Sequence, residues 1–207
     1  MVLFTYWRRA KLARASLMAG VLLACLVAAV GPMLTQYAGV RADTLRLHIL
    51  ANSDSEADQA LKLAVRDAIL AAEGPLFGQA DTKEEALAAA RAALPLIEQT
   101  ARAEIARRGY DYPVTAKVEN LYFATKDYDA FTLPAGRYDA VRVEIGEHKG
   151  RNWFCVLFPP LCVPAALDAD DGPSYDEDED AAVKTPYKIK FAAVEAVERV
   201  REWMRAD

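Results

Sequence analysis

His48, Asn52, Asp54, Asp58 and Gln59 crowd into the stretch LHILANSDSEADQ, residues 47–59. A histidine ahead of two carboxylates four residues apart could hold a metal ion or run acid–base chemistry, because residues at that spacing are neighbours on a helix. The same residues suit a plainer role. Ser and Asp satisfy the free amide groups of a helix start, and acids in its first turn complement the helix dipole. Capping needs fewer assumptions. Zinc takes three or four close ligands, and the chain holds two histidines, His48 and His148, with no H-x-x-x-H or C-x-x-C. No metal or other cofactor is expected.

The second reactive type is Cys155, in GRNWFCVLFPPLC. A Cys/His hydrolase would use its thiolate with His48 or His148 as base. Cys155 instead lies inside an apolar strand pattern, away from the electropositive, partly exposed setting that activates a thiol. With Cys162 it forms a pair that can be oxidised outside the cytoplasm; the alternative is two buried thiols. Gly-x-Ser-x-Gly, a phosphate-binding glycine loop and a dinucleotide fingerprint are absent. The first expectation is therefore no enzyme and no catalytic residue. An exported hydrolase or cell-wall-modifying enzyme using Cys155 or a His48/Asp54 site is the second reading.

These residues sit behind an N-terminal segment of different composition. Arg8, Arg9, Lys11 and Arg14 precede the uncharged run Leu17–Val30, which reads as the charged and apolar regions of an export signal. Continued through Leu34, the run approaches the ~20 residues that span a bilayer as a helix, so residues 1–42 are either a signal peptide or a membrane anchor. Val40-Arg41-Ala42 offers small residues for cleavage before Asp43, and the leading cations favour sending the remainder outside. Residues 43–207 then form a single exported domain, secreted or membrane-anchored.

The chain has 207 residues, 53% of them hydrophobic, and a net charge of −5. Eight acids fall in Asp168–Asp180; without them the net charge would be +3, so no strong bias remains. No basic stripe interleaved with aromatics suggests nucleic acid, and no small-molecule substrate is indicated. The acidic stretch 168–180 lacks any apolar pattern and reads as a solvated loop.

Alternation in Thr44–Leu50 points Leu45, Leu47 and Ile49 one way and Arg46 and His48 the other, as in a strand with one buried face. A capped helix follows. Its apolar stripe, Ala57 to Ile69, leaves Gln59, Lys62, Arg66 and Asp67 outward, and Gly74-Pro75 should end it. A second helix runs from Thr82 to Leu94, and a third from Pro95 to Arg108. Strands are expected at Val114–Phe123, Tyr138–Ile145 and Arg151–Phe158, the last two joined as a hairpin through Gly146–Gly150. A terminal amphipathic helix at about 188–205 should pack on the sheet. The fold class is α+β: one mostly antiparallel sheet with three to four helices.

LRLHILANSDSEADQALKLAVRDAIL (Leu45–Leu70) and GRNWFCVLFPPLC (Gly150–Cys162), in that order behind an export signal, resemble the stage II sporulation protein R family of endospore-forming bacteria. The resemblance implies a signalling protein made in the forespore and exported into the intermembrane space between forespore and mother cell. There it would activate a membrane-embedded aspartic protease, leading to processing of the mother-cell sigma factor precursor. It implies no catalytic residues. It makes His48, Asn52, Asp54, Asp58, Gln59 and Arg66, with Trp153 and Phe154, candidates for receptor contact.

Overall fold

The computed structural model describes residues 2–128, 131–161 and 188–206, without the side chains of residues 2–12, 26, 27, 29, 30, 33, 188–193 and 206. Cys162 and the acidic stretch 168–180 lie outside the described residues. In chain order the elements are α1 (Val2–Ala42), β1 (Leu45–Leu50), α2 (Glu56–Phe77), α3 (Lys83–Arg107), β2 (Val114–Phe123), β3 (Lys126–Asp127), β4 (Thr132–Leu133), β5 (Gly136–Ile145), β6 (Asn152–Phe158) and α4 (Lys188–Ala206). The class is α+β.

The four-stranded sheet has the order β2-β5-β1-β6, and β3 and β4 form a small separate pair. β1 runs parallel to β5 and antiparallel to β6, while β2 is antiparallel to β5. Leu47, Ile49, Val141, Val143, Cys155 and Leu157 form one core with Leu61, Val65 and Ile69 of α2. Ala86, Ala90, Ala93 and Ala101 of α3 join them, small residues that let this helix approach closely. The helix starts are capped as expected. Ser55 Oγ accepts from Asp58 N at 3.1 Å, Thr82 Oγ1 accepts from Glu85 N at 3.3 Å, and Glu85 Oε2 accepts from Asp81 N at 3.0 Å.

Several local expectations are corrected. The strands around Gly146–Gly150 do not pair with each other, because β1 lies between them and the connection passes over its end. Gly150 N donates to Ala51 O at 2.9 Å at that crossing. Gly74-Pro75 does not end α2, which continues to Phe77, and Pro95 does not divide α3. Burial of Phe77 and Ile97 beyond these prolines offsets the missing backbone donors. All six residues of β1 are buried, so its second face is covered as well as its first. Lys62 is buried, not outward.

α1 passes unbroken through Gly31 and Pro32. Among the described residues no helix is long and apolar enough to cross a membrane. Leu17, Met18, Val21, Leu22 and Leu23 are exposed, whereas Tyr37 and Val40, near the end of the same helix, are buried. Tyr37 clusters with Leu34 and with Val194 of α4, and Val40 with Leu133 and Val156. Arg41 pairs with Glu198 at 3.4 Å. The described contacts of α4 are thus with the end of α1 and with the sheet at the start of β5, through Arg137–Glu202 at 2.7 Å. The Val40-Arg41-Ala42 stretch is helical, and a cut before Asp43 would remove Tyr37, Val40 and Arg41 from these contacts.

Candidate functional site

Asn52, Asp54, Asp58 and Gln59 come together where β1 turns into α2. The Asn52 amide donates to Asp58 Oδ2 at 2.9 Å, and its Oδ1 accepts from Glu147 N at 2.9 Å. Ser53 Oγ also donates to Asp58. Asp54 Oδ1 accepts from Arg151 N, and Gln59 Nε2 donates to Ser53 O. Lys62 Nζ reaches Gln59 Oε1 at 2.7 Å and Arg151 O at 2.9 Å, joining α2 to the start of β6. Gly146, at φ +59°, admits Asn52, since a Cβ there would lie 2.2 Å from Asn52 Oδ1. These polar groups answer one another and bind the β1–α2 turn to the 146–151 connection. Burial pushes the Asp58 carboxyl up, but hydrogen bonds from Ser53, Asn52 and Tyr112 hold it below its ordinary value.

His48 is on the other side of the sheet. It lines a cavity of about 330 Å³ with Arg46, Phe123, Thr125, Arg142 and Phe154. The His48 ring stacks on Phe154 at 4.8 Å between centroids and meets the edge of Phe123 at 5.6 Å. Arg46 is fully buried, its guanidinium carbon 4.1 Å from the Phe123 centroid and 5.0 Å from that of Tyr138. Arg46 Nη2 donates to Tyr128 Oη at 3.0 Å; Nε and Nη1 find no hydrogen-bond partner among the described residues. The same holds for both ring nitrogens of His48, for Thr125 Oγ1 and for Arg142 Nε. Burial, then the charges of Arg142 and Arg46, push the His48 pKa down to about 4, with nearby Asn152 and Glu144 acting the other way. At neutral pH the ring is uncharged.

Alternation divides the remaining candidates. Trp153 faces the helices, packed against the main core, while Phe154 faces the cavity. The Arg66 guanidinium carbon is 4.8 Å from the Trp153 ring centroid, and Arg66 also pairs with Asp67 at 2.6 Å. Cys155 is fully buried and disulfide-bonded, and Cys25 is free and exposed. In the register of β1 and β6, Cys155 lies opposite Leu47 and His48 opposite Phe154. Cys155 and His48 therefore point to opposite faces of the sheet, and a Cys155–His48 pair is not assembled. Among the described residues no three His, Cys, Asp or Glu side chains group as a metal site.

Sequence reasoning missed Arg46, Arg142, Phe123 and Thr125 as cavity residues. Arg46 and His48 were legible as sharing a face. That this face is covered depends on the end of α1 and the β3–β4 pair, through Val40, Tyr128 and Leu133, which no short-range pattern announces.

The fold is α+β. Residues 41–167 match the family model described as stage II sporulation protein R, and the chain belongs to that family. A relative, stage II sporulation protein R of Bacillus subtilis (strain 168), is 38% identical over 136 residues. That match covers 66% of this chain and 59% of the relative, so the chain spans less than two thirds of the relative's length. No solved structure matches.

Proposed function

We propose that this protein is an exported, non-catalytic signalling ligand that acts in the space between forespore and mother cell. It activates a membrane-embedded aspartic protease, which then processes the mother-cell sigma factor precursor. The observation that carries this reading is the 38% identity to a stage II sporulation protein R over 136 residues. The protease and its precursor substrate are what that family resemblance implies. A ligand of this kind works by binding the active state of its receptor more tightly than the inactive one.

The N-terminal segment supports export, and the packing at its end supports retention of the end of α1 in the exported protein. Tyr37 and Val40 belong to the folded structure, and Arg41 is bound to Glu198. The polar edge formed by the β1–α2 turn and the Arg66–Trp153 pair is the proposed receptor face. A genetic test is direct: in a sporulating strain lacking its own copy, expression of this chain in the forespore should restore precursor processing in the mother cell. Export without processing would contradict the proposal.

A further inference from the structure

A fully buried guanidinium ordinarily has a carboxylate beside it, because an unpaired charge in a low-dielectric setting is strongly disfavoured. Arg46 has none within ion-pair distance among the described residues; its companions are the Tyr128 hydroxyl and the faces of Phe123, Tyr138 and Phe154. Its Nε and Nη1 are buried without a hydrogen-bond partner among the described residues, in a side chain that lines the cavity together with His48 and Thr125, whose buried polar atoms also lack one.

We propose that this cavity is a carboxylate-binding site: Arg46 supplies the charge, His48 and Thr125 supply further hydrogen bonds, and Phe123 and Phe154 receive the apolar body attached to the carboxylate. Charge balance selects a monoanion. Arg142, the second cation lining the cavity, is already engaged by Glu119 at 3.5 Å and Glu144 at 2.7 Å. A dianion such as phosphate would meet one uncompensated guanidinium and be repelled by those two glutamates. Lys126, exposed at the lining, adds a positive charge that solvent screens and that favours capture of an anion. The carboxylate can belong to a free organic acid or to an acidic side chain of a bound peptide. The chemistry at Arg46 is the same for both.

The test uses the full-length chain in detergent micelles, with arginine Nε–H and histidine ring signals followed by NMR. Sodium benzoate is the probe for a free acid. A capped peptide carrying one Glu beside a Phe is the probe for a protein-borne acid, with its Gln counterpart as control. Saturable shifts of Arg46 and His48 with benzoate or with the Glu peptide, not reproduced by benzamide or the Gln peptide, are expected, and whichever acid binds identifies the source. Arg46→Gln should weaken that binding about tenfold or more, as loss of a charge-assisted contact implies. No shift with either acid, or binding of inorganic phosphate as tight as that of benzoate, would overturn the proposal. If Arg46→Gln does not fold, the wild-type titration decides alone.

Discussion

The Asn52 side-chain amide donates to Asp58 Oδ2 at 2.9 Å while its own oxygen accepts from Glu147 N, so one residue ties the start of α2 to the connection before β6. Replacing Asp58 by Ala removes the acceptor that Asn52 and Ser53 share and leaves both donors without it. Asn52→Ala or Asp58→Ala should lower stability by about 2 kcal/mol, the scale of hydrogen bonds to a charged group. Urea unfolding of each variant measures this. Unchanged midpoints would mean the turn is held by other contacts.

The Asp58 carboxyl is held below its ordinary value, so its contribution is present above the unfolded pKa of about 3.9 and is lost as pH falls through the lower folded value. His48 acts in a separate window. Its folded pKa of about 4 is below the unfolded value of about 6.5, so the unfolded chain takes up the proton first. Stability should fall by about 3 kcal/mol as pH drops from about 6.5 to about 4. Denaturation midpoints at several pH values check this, and His48→Gln should remove that part of the slope.

Cys155 is disulfide-bonded and Cys25 is free. Alkylation under denaturing, non-reducing conditions should therefore leave Cys155 unmodified and label Cys25, as read by peptide mass spectrometry. Reduction should cost about 2 kcal/mol of stability if the bridge closes the short loop to Cys162, the mate the sequence offers. Labelling of Cys155 without reductant would contradict the bonded state.

The packing of Tyr37 and Val40 predicts where the mature chain begins. N-terminal sequencing of the exported protein should find a start upstream of Leu34, or no processing at all. A mature chain starting at Asp43 would show that the domain forms without those contacts. Arg41→Ala, which leaves Arg201 as the ion-pair partner of the buried Glu198 among the described residues, should lower stability by about 1 kcal/mol or more.

Legibility in the sequence followed the range of the interactions. The capped start of α2, and the alternation of Leu45, Leu47 and Ile49, depend on neighbours a few residues away and are legible directly. Pro75 and Pro95 misled because local propensity yields to burial of Phe77 and Ile97 on the core. The β5–β6 hairpin misled because a turn of suitable length also allows a third strand, here β1, to lie between its arms. The candidate site divided for the same reason. Asn52, Asp54, Asp58 and Gln59 are close in sequence and in space, whereas Arg46 and His48 acquire Phe123, Arg142 and Phe154 only through long-range pairing.

The central claim, activation of a receptor protease, is tested most directly by reconstitution. The full-length chain is coexpressed with the membrane-embedded aspartic protease and the sigma factor precursor in a host that has none of the three, and the precursor's size is followed. The account predicts shortening of the precursor only when all three are present. An uncut precursor beside folded, exported protein and an intact protease would contradict it.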